Sequence, residues 1–512
     1  MKSVWWIKRD FRISDNQCLD EASKQSSTLL PFFCWEPEIL NHGDYSLFHL
    51  QAQMEGVLGL YKSLKKRGLI SRVVMGNIVE QLETLFKLYP FQAIYSHQET
   101  GNLISFNRDN TVRKWCIARG IKWIEKNPCS VMRGGNADQR RLKLRQSDFR
   151  KQKPLAIPVF EQLKSVPQPL AKAPLSWGEL TRAVPKFSGS NQNSSLVKVD
   201  EKSALETVAS FLENRGIGYA GGISSPNSAF ESGSRLSSHL AWGTISLRSV
   251  FDQLDKRRVE LKDDHDRSQW NRSLRAFESR LFWRDHFIQR LEAFPELENK
   301  ALNSAYADLI YEDDLSNLDA WVNGRTGYPM VDACMRCLQE CGFLNFRMRA
   351  MVVSFACYGL HLSWKTIHEP LAGMFHDYEP GIHLSQLQMQ AGVIGFNAIR
   401  VYSPRKQFLD HDPNALFVRK WIPELRDKTP AEIAHADESF IDGYIPGIVN
   451  LKDRSQEMKN RVFAIRKSAS AKKTTQKMLK LHGSQKQKKP QRKKTSPKGQ
   501  MTLFKTLRSG KT

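Results

Sequence analysis

An α/β N-terminal domain, an all-α domain behind it and a disordered basic C-terminal tail form the fold class that this 512-residue chain predicts. Three observations lead there. Short apolar runs alternate with helical stretches over about the first 130 residues. Helical periodicity takes over from about residue 201, and it ends near residue 466, where Lys and Arg accumulate.

"SVWWIKRDF" opens the chain as a buried strand, and four short apolar runs come after it: "STLLPFFCW" (27–35), "SRVVMG" (71–76), "FQAIYSH" (91–97) and "GIKWIEK" (120–126). Helical stretches such as 47–68 lie between them, so residues 1–130 predict a parallel sheet. No G-x-G-x-x-G stands after the first strand, and a dinucleotide-binding domain lacks its fingerprint. Residues 131–200 hold many Pro, Ser and Asn and predict an interdomain linker running over the surface. Residues 201–465 predict a helical domain, with amphipathic runs such as "FRMRAMVVSFACYGLHLSW" (346–364), and residues 466–512 a disordered tail.

Net charge is +24, unevenly spread. From Arg466 to Thr512 there are 16 Lys plus Arg and no Asp or Glu, so the other 465 residues carry 61 basic against 53 acidic side chains. That balance suits a polyanionic partner, nucleic acid first, and serves solubility equally well. No apolar run has the length of a membrane span and no signal-peptide pattern opens the chain. Eight Cys make no disulfide scaffold, and a reducing, cytoplasmic compartment is expected.

Four segments carry chemistry. In "SGSRLSSHLAWGTIS" (232–246), Ser232, Ser234, Ser237 and Arg235 gather at a helix start, which suits a diphosphate; plain helix caps are the alternative. "SRLFWRDHFIQRLE" (279–292) carries Trp283 and Arg284 on an otherwise apolar helix. Arg349, from "TGYPMVDACMRCLQECGFLNFRMRAMVVSF" (326–355), and Asp377, from "HDYEPGIH" (376–383), are candidates for a buried pair beside a ligand. In the segment 381–407, Gln386, Gln388 and Gln390 alternate with Leu387 and Met389 as in a half-buried strand. Gln is a poor strand residue, however, and a buried amide needs partners, so the stretch is expected to face something polar.

"GSRLS", "WRDHF", "TGYPMVDA.MR" and the "R.YSP..Q" ending at Gln407 stand in an order and spacing that resemble the cryptochrome/DNA photolyase family, in its bacterial deoxyribodipyrimidine photolyase-like branch. The likeness runs from "WIKRDFRISDN" (6–16) to "FVRKWIPEL" (417–425). It implies a Rossmann-like antenna domain, a linker and a helical domain holding U-shaped FAD. Tyr219, Ser234, Arg235, Leu236 and Ser237 match positions gripping the FAD phosphates and ribityl chain, and Arg349 and Asp377 match the pair flanking flavin N5, with Glu379 and His383 beside them. The 381–407 stretch resembles the wall beside the isoalloxazine ring. Trp283 matches a wall of the cavity for a flipped pyrimidine dimer, and Arg280, Arg347 and Arg400 match positions facing DNA.

The departures from the family pattern are chemical. His383 stands where many members have Asn opposite N5, and an imidazole there can hydrogen-bond N5 or pass it a proton. Leu387 stands where the family's tryptophan electron-transfer chain begins; Trp364 matches its middle member and Tyr311 its surface member. Arg280 replaces the glutamate of cyclobutane-dimer photolyases, Phe346 the usual Asn and Ala350 the usual Met. Phe346 and Ala350 also exclude the paired His of the animal (6-4) enzymes. Cys334-x2-Cys337-x3-Cys341, with Cys357, raises an iron–sulfur reading, but Cys as a small hydrophobe accounts better for them and no metal is expected. His97, Gln98 and Glu99 lie near the family's folate-contacting segment with a spacing off by about one residue. A folate, a deazaflavin and an empty antenna site therefore all stay open.

In the tail, "KGQMTLFKTL" (498–507) resembles the peptide by which bacterial repair proteins dock on the sliding clamp, with Gln500, Leu503 and Phe504 as anchors. The reading as a whole is a monomeric, light-driven enzyme splitting pyrimidine dimers in UV-damaged DNA, the cyclobutane dimer first, cytoplasmic and nucleoid-associated in a bacterium. Its rivals are a cryptochrome-like photoreceptor binding FAD without repair and a DNA-binding flavoprotein without light chemistry.

Overall fold

The computed structural model describes residues 1–135 and 139–482. Strands β1 (Lys2–Trp6), β2 (Thr28–Trp35), β3 (Arg72–Met75), β4 (Ala93–His97) and β5 (Lys122–Lys126) form one sheet in the order β3-β2-β1-β4-β5. Every pairing is parallel, with Val4 opposite Leu30 on one side and Ile94 on the other. A parallel sheet is covered on both faces, so its strands are apolar without a break. Trp5, Phe33, Trp35 and Tyr95 enter the core on one face; Val4, Trp6, Phe32 and Ile94 enter the core on the other.

Strand order reverses between β1 and β4, and in such sheets the carboxyl ends at that point receive ligands. Here the chain's own charges occupy part of it. His97 bonds Asp10 at 2.8 Å, Lys8 meets Asp109 at 3.1 Å and Arg108 meets Glu36 at 2.9 Å, all buried or nearly so. Beside them opens a cleft of about 570 Å³, lined among others by Glu36, His42, Arg108, Glu298, His368 and Glu369.

The predicted surface linker is largely exposed, and a few apolar residues anchor it. It contains helices Gln139–Lys151 and Trp177–Ala183, and Lys172 bridges to Arg72 beside β3. Val166 and Leu170 bury under one sheet face, Leu180, Val184 and Phe187 under the other, while Phe149 joins the helical core. Pro, Ser and Asn mark where this segment turns; the scattered apolar residues between them anchor it.

From Glu201 onward the chain is helical, around a long helix Arg267–Ala293. The Gln-rich stretch that alternates like a strand is helix Pro380–Gln390, with Pro380 in its first turn. Its buried residues, Gly381, Leu384, Ser385, Leu387 and Gln388, have helical spacing. Gly381 is where it crosses the long helix: a Cβ there would stand 2.6 Å from Ile288 Cα. The tail too differs from the expectation, because Ala469–His482 is helical. Ala471 is buried, and Asn303 Nδ2 donates to Thr475 Oγ1 at 2.9 Å. Gln500, Leu503 and Phe504 lie outside the described residues. Among the described residues no helix is long and apolar enough to cross a membrane.

Candidate functional site

Four separated segments meet around one ion pair. Helix Phe346–Tyr358 presents Arg349, whose NH2 donates to Asp377 Oδ2 at 2.8 Å and whose Nε donates to Leu344 O at 2.7 Å. Burial pushes the Asp377 carboxyl up, and Arg349 with the Ser237 hydroxyl outweighs it, so the group sits below the ordinary carboxylate range. The Arg349 guanidinium lies 4.1 Å over the Phe375 ring and 5.7 Å from Phe343. Arg235 approaches the other side of this aromatic wall, 4.8 Å from Phe343 and 5.0 Å from Phe230.

Arg235 has φ +57, a left-handed conformation that costs a non-glycine residue roughly 1 kcal/mol or more. Among the described residues no carboxylate pairs with it within 4.0 Å. Burial lowers its pKa from the ordinary value. An incompletely neutralised, half-buried guanidinium held in a strained turn suits an anionic ligand. The nearby serines are not a set of caps. Helix Ser237–Ala241 has no side-chain cap from Leu236, and Ser237 is exposed. Ser234 Oγ reaches only Leu236 N, at 3.4 Å, and Leu236 itself is fully buried. Tyr219 is buried, and that burial pushes its hydroxyl up to about 12, against the opposing pull of the nearby Arg280.

His383 faces the same neighbourhood. Its ring lies 5.1 Å from His368, 5.4 Å from Tyr378 and 6.1 Å from Phe375. Burial, then the nearby His368, carry its pKa well below the ordinary value, so the imidazole is neutral. Among the described residues its Nε2 is buried with no partner. Asp377 Oδ1, His376 Nε2 and both amide atoms of Gln386 are likewise buried and unpartnered. Buried polar atoms without partners are rare, and five of them on two adjoining segments suit a polar heteroaromatic ligand that bonds them. With Arg235 at one end for a diphosphate, the residues fit a dinucleotide-like flavin cofactor.

The remaining predicted residues separate into exposed and interior ones. Trp283 is 47% exposed, with one edge packed on Phe287 at 5.8 Å and Arg280 5.6 Å from its ring. Phe346 is 54% exposed, Arg280 and Arg400 are exposed, and Arg347 is half-buried. Glu379 turns to Arg284, 3.5 Å away, and burial raises its pKa. Trp364 and Leu387 are core residues. Tyr311 is not the surface residue expected: its hydroxyl is buried without a partner and its pKa lies well above the ordinary value because of that burial. His97 and Glu99 are taken up by Asp10 and Arg108. Among the described residues the one trio whose ligand atoms converge within 4.8 Å is Glu312, His361 and Glu457, and Arg454 and Arg461 already neutralise it.

Sequence reasoning missed Phe343, His368, Asn345 and His376. Phe343 comes directly after Gly342 in "ECGFLNF", and a glycine ending a helix just before an aromatic residue is the signal that pointed to it. Asn345 Nδ2 donates to Ile223 O and Ser224 O at 3.0 Å, tying its loop to the Arg235 side. His368 has no signal in the sequence; its ring meets His383 only through the fold.

The DNA photolyase family model matches residues 3–143, and the model described as the FAD binding domain of DNA photolyase matches residues 277–464. The chain is 25% identical over 472 residues to a deoxyribodipyrimidine photo-lyase of Synechococcus, covering 89% of this chain and 95% of that protein. It is 26% identical over 467 residues to Cryptochrome-1 of Sinapis alba, covering 85% and 88%. An archaeal photolyase from Sulfolobus tokodaii, crystallised with two FAD molecules, superposes with a TM-score of 0.75 at 24% identity, over 91% of this chain and 100% of that one. That superposition establishes a shared fold.

Proposed function

Since the chain belongs to the cryptochrome/DNA photolyase family and carries that family's FAD-binding domain, we propose that it is a light-driven DNA repair enzyme that splits pyrimidine dimers, the cyclobutane dimer first. Family members act on UV-damaged DNA, and relatives along most of the chain are named deoxyribodipyrimidine photo-lyase. The observation that carries the reading is an aromatic surface open to solvent, Trp283 with the Arg280 guanidinium 5.6 Å from its ring. A Trp left half exposed offers a flat face on which an unstacked lesion base can stack.

In this reading FAD, reduced and excited by light, supplies the electron that opens the dimer. The protein supplies position and polarity. Arg235 and Ser237 hold the diphosphate, and Arg349 beside Asp377 sets positive charge against a reduced ring. His383 is a neutral imidazole whose buried Nε2 has no partner among the described residues. That ring nitrogen would be free to hydrogen-bond a bound flavin. Trp283 stacks on the flipped base, while Arg280, Arg347 and Arg400 meet the DNA. The cleft beside Glu36 and Arg108 is the candidate antenna pocket.

The second reading is a photoreceptor that binds FAD without repair. Arg280, Phe346 and Ala350 in place of the family's lesion-contacting residues, and Leu387 in place of its first electron-transfer residue, favour it. One experiment decides. The flavin is reduced chemically without oxygen, so that Leu387 has no bearing, and the protein is illuminated with oligonucleotides carrying one cyclobutane thymine dimer or one (6-4) product. Restored thymines from the first are expected. Restoration from the second alone replaces the substrate, and silence on both with FAD bound replaces repair by signalling.

A further inference from the structure

We propose that Cys337 and Cys341 form a redox dithiol, a modification site for peroxides, placed at the root of the loop that supports Arg235 and Arg349. The chemistry of the pair is independent of the function proposed above; its effect on flavin rests on that reading.

The two residues stand four apart on the last turn of helix Pro329–Cys341, so their side chains neighbour each other on one face of it. Of the eight cysteines, Cys341 is the one that is not buried, whereas Cys337 is fully buried beneath it. That is the arrangement of an attacking thiol with a resolving thiol behind it. The charges facing Cys341 are Lys420, Arg235 and Glu340, two cations against one anion. The neighbouring Cys337 thiol and the two cations draw its thiol below the ordinary range, whereas burial pushes Cys18, Cys34, Cys116, Cys129, Cys334 and Cys357 above it. Oxidation therefore has one entry point.

Closure is within reach. Four residues of helix rise about 6 Å, and disulfides span Cα separations of roughly 4.4–6.8 Å. Gly342 leaves the helix at once with φ +62, so the turn that has to loosen is the terminal one. In the first step the Cys341 thiolate attacks one oxygen of a hydroperoxide. The S–O bond forms, the O–O bond breaks, and hydroxide leaves. In the second step the Cys337 sulfur attacks Cys341 sulfur, the S–S bond forms, and the S–O oxygen departs as water with the Cys337 proton. Two thiols lose two electrons and two protons; hydrogen peroxide becomes two waters.

The residues just beyond Cys341 give the bond a consequence. Cys337 Sγ lies 3.8 Å from Phe343 O, and the Phe343 ring lies 4.8 Å from the Arg235 guanidinium. Leu344 O accepts from Arg349 Nε. Tightening the last turn moves residues 342–344, on which both guanidiniums rest.

The test uses the full-length flavoprotein. Graded hydrogen peroxide is followed by alkylation of free thiols and mass analysis of the unreduced peptide spanning 337–341, with gel filtration to measure flavin retained. The expected result is loss of two hydrogens from that peptide, reversed by dithiothreitol, before any other cysteine reacts, and a several-fold rise in flavin released. Cys341→Ser is expected to abolish the bridge, and Cys337→Ser to leave a sulfenic acid on Cys341 that dimedone traps. Equal reactivity of Cys341 and the buried cysteines, or over-oxidation of Cys341 without bridging, overturns the dithiol. Bridging with flavin retention unchanged overturns the coupling. Protein that bridges but never binds flavin leaves the dithiol standing and removes the proposed function instead.

Discussion

Replacing Trp283 by Ala tests the stacking wall with a magnitude that the geometry bounds. Base–aromatic stacking contributes about 1–3 kcal/mol per base. Trp283 is 47% exposed with its other edge against Phe287, so one face is available and a mid-range value of about 2 kcal/mol applies. At about 1.4 kcal/mol per decade, Kd for lesion-bearing DNA rises about thirtyfold. The Arg280 neighbour separates stacking from charge. Arg280→Ala removes one cation, so the slope of log K against log salt becomes shallower by about 0.9 if that cation neutralises a phosphate. Trp283→Ala leaves the slope where it was. The assay is fluorescence anisotropy in the dark, with lesion-bearing and undamaged duplexes over a salt series. A Trp283→Ala protein that binds the lesion as tightly as the parent, or that loses equal affinity for both duplexes, refutes stacking on a flipped base. Because half of Trp283 packs on Phe287, the variant also loses some stability, so its thermal midpoint is measured alongside and binding is compared well below it.

Two further outcomes concern the interior. Gln388 is fully buried, accepts from Leu302 N at 2.8 Å and donates to Leu297 O and Lys300 O at 2.9 Å. Gln388→Ala strands three backbone groups, costing about 3–5 kcal/mol and a lowered thermal midpoint. Gln386→Ala, which strands nothing in the protein, leaves the midpoint alone and weakens flavin retention; identical behaviour of the two variants would sink the distinction. Glu292 is buried and its carboxyl is raised by that burial to about 7 from 4.5. Between pH 4.5 and 7 the folded state binds the extra proton, so stability falls as pH rises through that window and the penalty is complete above it. Glu292→Gln is expected to gain up to about 3 kcal/mol at pH 8 and nothing at pH 4, read as thermal midpoint against pH; a pH-independent gain contradicts the burial argument.

The sheet was legible because its strands are buried on both faces, which leaves continuous apolar runs. Even Pro31, inside β2 and opposite Trp5, does not mask that run. The charged residues of "KRDFRISDN" were not legible as structure. Lys8 finds Asp109, Asp10 finds His97 and Asp15 finds Arg248, partners that chain distance hides. The linker's anchors were hidden for a related reason: composition reports where a chain turns, while its packing depends on a few isolated residues such as Leu180 and Phe187.

The Gln-rich stretch shows where a local reading stops. Alternation of Gln386, Leu387, Gln388, Met389 and Gln390 has the period of a strand, and on a helix the same order distributes the amides around the axis. Gln388 therefore points into the core, where it pins residues 297–302, and the amide of Gln386, half a turn away, is buried with no partner at all. The expectation that these amides face something polar was right for Gln388, whose polar surface is backbone supplied from 86 residues earlier in the chain. For Gln386 the described residues offer no group. Both carry the same letter in the sequence; only the fold's own hydrogen-bond partners separate an amide that holds the structure from one left for a ligand. That separation makes the Gln386 and Gln388 variants opposite probes of one helix.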